Sequence, residues 1–501
     1  MKITFQILGL AILSAIILTL TAWVWLVMHK FNLANPWTEL PNGLINTFDY
    51  PVLRPIAWQS LLFGFGTIGV MLYVLGDWSE SDERVLRGDR IVTGKELARM
   101  TQAESLQVTV ADVPLPIDCE TQHLLLTGST GTGKTTALNE LRGKILKRGD
   151  RMIVIDPDGY AFSRFAKVGD RVLNPFDKRS PGWSIFNEIR SNYDYDRISR
   201  SVVPDSTEST SQSWHGYAQQ LLAGIMRTML RSGENTTERL LYWVKYASAK
   251  ELSDFLSGSV ASGLFEPGAE KAFASTRFIL SYYVGPYEHL QAGNFSLRNW
   301  LESEKGNLYI TWNESMRDSL KPLISTWADV LIDAKLTLPT KNASPLWLDL
   351  DELSGLERLN SLEAGLTRGR KHNLRILAGL QSVAQLDERY GKNVAQTLRS
   401  CFRNVLALGG SNTDPDTAET ISKGLGQVEV ERKTLNHNRG PNGISTNSQI
   451  QRNVEYLVLP TELMSLKPLH GFLKLAGKYP VGYVQLVQHD LPVRILPFIE
   501  L

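Results

Sequence analysis

The chain opens with two apolar runs that carry no charge, Phe5–Met28 of 24 residues and Ile56–Gly76 of 21. As helices they span about 36 and 31 Å, enough to cross a hydrocarbon core of ~30 Å. The first exceeds the apolar region of a signal peptide, and no small-residue cleavage site follows it cleanly. The pattern predicts a two-helix membrane hairpin over residues 1–76, its spans joined by about 27 residues. Gly64, Gly66 and Gly69 fall in a GxGxxG spacing inside the second run, among Leu61, Leu62, Phe63 and Phe65. A dinucleotide loop needs a strand before it and a soluble helix after it. Ser60 and Gly64, small residues four apart, predict close helix packing instead.

Beyond this region the periodicity changes. Leu124–Thr127, Met152–Asp156, Leu346–Glu352 and Leu374–Leu380 with Gln381 after it are short, mainly apolar runs ending in polar residues, the pattern of buried strands in an α/β sheet. Leu138, Leu141 and Ile145 recur at three and four residues and predict a helix, as do Leu353, Leu356, Leu359 and Leu362. From about Trp183 to Trp300 the chain reads as helical, with Tyr217, Leu221, Leu222 and Ile225 on one face. Two polar stretches read as connections: Asp205–Ser213, and a mobile loop at Arg432–Arg452 rich in Asn, Gly and Ser.

The 501 residues leave room for about three structural units. A hydrophobic content of 43% excludes a disordered chain, and 53 basic against 52 acidic residues exclude a polycation. Charge also orients the hairpin. Lys2, Arg84, Arg87, Arg90 and Lys95 flank the two spans on the outside, against Lys30 and Arg54 between them, which predicts cytoplasmic termini. Residues 77–501 hold 50 basic and 50 acidic side chains, so a polyanion must be met by a local patch. Cys119 and Cys401 are too far apart for a metal-ligand spacing and exclude a disulfide scaffold or zinc ribbon.

The strongest chemistry follows the first predicted strand. Gly128-Ser129-Thr130-Gly131-Thr132-Gly133-Lys134-Thr135, then Thr136, is GxxxxGK[ST] between a strand and a helix. Glycines let backbone N–H groups close around phosphate oxygens at a helix N-terminus. Lys134 is expected to reach the β- and γ-phosphates of ATP, and the Thr135 hydroxyl to hold Mg²⁺. A metal-side acid must stand at a neighbouring strand end. Asp351 for the Mg²⁺ shell and Glu352 as base for the attacking water are the favoured pair, with Asp156 and Asp349 as competitors. Gln381, at another strand end, is a candidate to contact the γ-phosphate or to orient water. Arg368, Arg370, Lys371 and Arg375 cluster before that strand. On charge density a solvated face is favoured over a nucleic-acid contact or an arginine finger. Trp214 is a candidate to stack on a base, or a core aromatic.

These blocks carry a resemblance. HLLLTGSTGTGKT, GDRMIVIDPDG, LNPFDKRSPGWSIFNEIR, LWLDLDELSGLERL, TRGRKHNLRILAGLQS and LGGSNTDPDT, in order after two N-terminal spans, resemble the conjugative coupling proteins of type IV secretion, the TraD/TraG group. The likeness covers essentially the whole chain. It implies a RecA-like P-loop ATPase fold (residues 77–182 and 301–501) interrupted by an all-α domain (183–300) and carried on the two-helix transmembrane hairpin (1–76). It also implies a homo-hexameric ring at the bacterial inner membrane, two-pass, with its body in the cytoplasm. The ring would couple a relaxase or relaxosome, bound to single-stranded DNA, to the inner-membrane components of a type IV secretion channel. Double-stranded DNA is the alternative substrate, and neither is read by sequence. By resemblance Lys134 and Thr135 take the nucleotide, Asp351 and Glu352 form the acid pair, Gln381 contacts the γ-phosphate region, and Arg370 is an arginine finger reaching the adjacent subunit. No acidic or Gln-rich tail follows, so docking through such a tail is not expected. A docking scaffold gated by nucleotide, an exporter of proteins alone and a double-stranded DNA pump are the rival readings.

Overall fold

The computed structural model describes residues 5–31, 36–75, 83–341, 343–440 and 443–501. The chain divides into two units, residues 1–84 with 431–451, and residues 85–430 with 452–501.

In the first unit the apolar runs form helices Phe5–Lys30 and Arg54–Leu75, with a short helix Pro36–Ile45 between them. Lys2 and Gly76, used in the sequence reading, lie outside the described residues. A Cβ on Gly64 would stand 2.1 Å from Thr19 Oγ1 and 2.8 Å from the Ala15 carbonyl oxygen, so this glycine admits the neighbouring helix. Among the described residues, Gly66 and Gly69 have nothing within 4 Å of that position. Ala11–Lys30 is the one stretch of the described residues long and apolar enough to cross a membrane.

The second unit is built on a ten-stranded sheet. Its strands, in chain order, are β1 (Ile91–Thr93), β2 (Leu124–Thr127), β3 (Arg151–Pro157), β4 (Arg171–Leu173), β5 (Leu308–Trp312), β6 (Leu346–Leu350), β7 (Leu374–Leu380), β8 (Asn404–Leu408), β9 (His470–Lys474) and β10 (Val481–Gln485). Their spatial order is 1-10-9-8-2-7-6-3-5-4. The seven strands from β8 to β4 are parallel, and β9 runs antiparallel to β8 and β10. Both faces are covered, which is why these strands are apolar without alternation. Leu125, Ile153, Ile155, Leu308, Ile310, Leu346, Leu348 and Leu350 enter one core. Leu124, Leu126, Met152, Val154, Tyr309 and Trp347 enter the other, with Leu138, Leu141 and Ile145 of the helix Lys134–Arg148.

Between β4 and β5 the chain is helical, with Asp194–Val202, Ser209–Arg231, Thr237–Leu241, Ala249–Phe255, Glu270–Val284 and Leu297–Ser303 as its α-helices. Leu221, Leu222 and Ile225 are buried as the spacing predicts, whereas Tyr217 is exposed. Three expectations need correction. Ser209–Ser213, read as a connection, is the first part of a helix. Leu353, Leu356, Leu359 and Leu362 are all buried, but only Leu353–Gly355 forms a 3₁₀ turn before a helix at Leu362–Arg368; each leucine is placed by the core rather than by a common helical face. The stretch read as a mobile loop is instead two strands, Gln427–Gly440 and Gly443–Tyr456, of a three-stranded sheet. Val428 and Val430 alternate with Glu429 and Glu431, a strand signal that the polar composition further on obscures. Residues 441 and 442 lie outside the described residues.

Candidate functional site

Because β2, β3, β6 and β7 are parallel neighbours, their carboxyl ends open on one edge of the sheet. There Gly128–Lys134 turns β2 into the helix Lys134–Arg148. Gly133 has φ 118°, in the left-handed region that favours glycine, and the first N–H groups of the helix that follows have no acceptor within it. β6 delivers Asp351 and Glu352, and β7, lying between β2 and β6, delivers Gln381. A Cβ on Gly379 would lie 1.8 Å from the Asp351 carbonyl oxygen, so β7 and the acid-bearing turn pack backbone to backbone.

The result is a cleft of about 520 Å³. Ser129, Thr130, Gly131, Gly133, Lys134, Thr135, Thr136, Asp351, Glu352 and Gln381 line it, and so do Pro157, Pro468, Leu469 and Gln488, which the sequence did not single out. Gly128 and Thr132 shape the loop: the Gly128 carbonyl accepts from Lys134 Nζ, and Thr132 Oγ1 donates to the Ser129 carbonyl at 2.8 Å. Lys134 Nζ also reaches the Ser129 carbonyl at 3.2 Å. Burial draws the Lys134 ammonium below its ordinary range, opposed by the charges of Asp351 and Glu352. Gln381 Nε2 lies 3.4 Å from Glu352 Oε1.

Two arginines belong to the site that sequence reasoning missed. Arg142 is fully buried, with Nε 2.6 Å from Asp349 Oδ2 and Nη2 3.5 Å from Asp351 Oδ2. It falls on the same helical face as Leu138, Leu141 and Ile145; a charge among those buried positions was the available signal. Arg317 Nη2 lies 3.8 Å from Glu352 Oε1, and its Nη1 2.7 Å from Glu314 Oε1. Nothing in the sequence pattern marks Arg317.

The two competing acids are corrected by their partners. Asp349 is fully buried against Arg142 and does not line the cleft; burial pushes its carboxyl up to about 6, against the pull of that guanidinium. Asp156 accepts the N–H groups of Ala161 and Phe162 at 2.8 and 2.7 Å and so caps the helix Tyr160–Phe165. Its burial pushes it up to about 7.

The remaining candidates lie elsewhere. Arg370 sits in the 3₁₀ turn Gly369–His372, at the amino end of β7 and thus at the edge of the sheet opposite the cleft. Arg368, Arg370 and Lys371 are exposed, but Arg375 is not part of that face: it is buried 3.0 Å from Glu120, beside the Trp347 ring. Trp214 is half-buried on the helix Ser209–Arg231, its ring edge-on to Tyr217.

The family described as the type IV secretion-system coupling protein DNA-binding domain matches residues 107–487. The chain belongs to that family. The coupling protein TraD of Escherichia coli K12 is 27% identical over 446 residues, 85% of this chain and 62% of TraD, so the chain spans less than two thirds of that relative. VirD4, a type IV secretion system-coupling protein of Bartonella quintana, is 25% identical over 40% of this chain and 32% of its own length. The solved bacterial conjugative coupling protein TrwBΔN70 is 43% identical with a TM-score of 0.78, covering 83% of this chain and 98% of its own. TrwB has also been solved with ADP and Mg²⁺ and with the non-hydrolysable ATP analogue ADPNP. This coupling protein therefore has a RecA-like α/β fold and belongs with nucleotide-binding relatives.

Proposed function

We propose that this coupling protein is a membrane-anchored ATPase that drives single-stranded DNA, with its attached relaxase, into a type IV secretion channel. The observation that carries the reading is the single cleft shared by Lys134, Thr135, Asp351, Glu352 and Gln381. Its donors suit ATP with Mg²⁺. Among the described residues no group of three or more His, Cys, Asp or Glu side chains could hold a metal, and Mg²⁺ characteristically takes one or two protein oxygens together with nucleotide phosphates. Thr135 and Asp351 would hold it, and when bound it would neutralise charge on the phosphoryl oxygens. Lys134 would leave its loop carbonyls for the phosphates, Glu352 would take the proton of the attacking water, and Gln381 would orient the γ-phosphate side.

Arg370 would complete the site of an adjacent subunit, which makes a homo-hexameric ring the working unit. Residues 1–76 would form the two-pass inner-membrane anchor and 183–300 the all-α domain at the cytoplasmic mouth, where Trp214 would meet DNA. Near-equal charge over the body supports contact through local groups on the DNA backbone rather than long-range steering.

ATP hydrolysis by the full-length protein, measured against protein concentration with and without single-stranded DNA, tests this. A DNA-dependent rate rising more steeply than linearly is expected, and Lys134→Ala should abolish both turnover and DNA transfer with the fold retained. A flat, DNA-indifferent rate would instead favour a docking scaffold that recruits the relaxosome and gates on nucleotide.

A further inference from the structure

Arg142 has no place in the proposed chemistry, yet it joins the helix that follows the phosphate loop to the strand that ends in the acid pair. It is fully buried, and a buried guanidinium is retained only when paired. Asp349 satisfies it at 2.6 Å through Nε, while Nη1 lies 3.2 Å from Asn139 Oδ1. The fork then extends past Asp349, and Nη2 comes within 3.5 Å of Asp351 Oδ2. Asp349 lies within β6 and Asp351 one residue past its end, two apart, so strand alternation carries both towards the same face. One planar group therefore spans both carboxylates. Asp351 is partly open to the cleft, where Asp349 is closed off.

We propose that Arg142 is a positioning residue for the metal-side carboxylate: it holds Oδ2 of Asp351 and leaves Oδ1 directed to the Mg²⁺ that accompanies the nucleotide. This rests on the nucleotide reading above. Groups that orient a metal ligand from behind typically change metal affinity 10–100-fold when lost.

The test uses the full-length protein and a fluorescent ADP analogue, titrated with and without Mn²⁺. If wild type binds no nucleotide, the nucleotide reading itself fails. Given wild-type binding, Arg142→Lys keeps a charge for Asp349 but cannot fork to Asp351. It should need at least about tenfold more Mn²⁺ for metal-dependent binding, with metal-free affinity unchanged. The pair Arg142→Met with Asp349→Leu removes the buried charges together and should show the same shift. Unchanged Mn²⁺ dependence in Arg142→Lys would overturn the proposal and leave Arg142 as the partner of Asp349 alone. An equal loss of metal-free binding would also overturn it, by placing the effect on the phosphate loop.

Discussion

The two ends of the seven-residue strand β7 are chemically unlike. Its carboxyl end carries Gln381, 3.4 Å from Glu352 in the cleft. Its amino end follows a turn carrying Arg370 and Lys371, exposed on the opposite edge of the sheet. A β-strand rises about 3.3 Å per residue, so a side chain at one end cannot serve a phosphate at the other. What the contrast teaches is that one protomer places its phosphate-binding loop and acids on one edge and its exposed guanidinium on the other. An arginine finger at Arg370, as proposed above, would have to act on a neighbour.

Arg370→Ala should have the largest effect. Hydrolysis should fall about 10³-fold, the usual contribution of an arginine finger, with nucleotide affinity within about twofold. Mixing with Lys134→Ala subunits should restore part of the rate. An affinity loss as large as the rate loss would place Arg370 in its own chain's site. At the other end, Glu352→Gln should lower turnover by about 10²-fold or more while ADP binding persists; phosphate release and equilibrium binding on one preparation separate the two.

Arg375 sharpens the contrast in a different way. It stands five residues after Arg370 in the same basic run, but is buried against Glu120. Arg375→Ala should destabilise by about 2 kcal/mol, because the buried Glu120 carboxylate loses one of its two arginine partners and keeps Arg148; a lower thermal midpoint with unchanged turnover per folded molecule is expected. An effect confined to acid pH is expected at His123, where β2 begins. The ring is buried, lies 2.9 Å from the Leu366 carbonyl through Nε2, and accepts the Ile376 N–H at Nδ1. Burial draws it down to about 4 from 6.5. The folded state thus keeps the neutral ring while the unfolded chain takes up a proton. This stability is complete above pH 6.5 and is lost as pH falls towards 4, by up to about 3 kcal/mol. His123→Leu should flatten that slope in thermal melts.

Continuous apolar runs made the central strands readable: Leu374–Leu380 matches its predicted bounds, and the run read as Leu346–Glu352 ends as a strand two residues earlier, at Leu350. The long strands at Gln427–Gly440 and Gly443–Tyr456 were hidden by Asn, Gly and Ser. In the site, the phosphate loop and the Asp351–Glu352 pair were visible as local patterns. The separation of Asp349 from Asp351 was not, since alternation puts both on one face.

Local chemistry in the chain thus determined the strands, the glycine loop, the apolar N-terminal runs and the acids available for catalysis, because each rests on neighbours a few residues away. Which acid opens to the cleft, that Arg142 spans both carboxylates, that Arg317 lies beside Glu352, and that Arg370 and Arg375 part into surface and core were decided only by tertiary structure. Those outcomes depend on which strands become parallel neighbours and which helix covers each face, contacts made across 35 to 255 residues of chain.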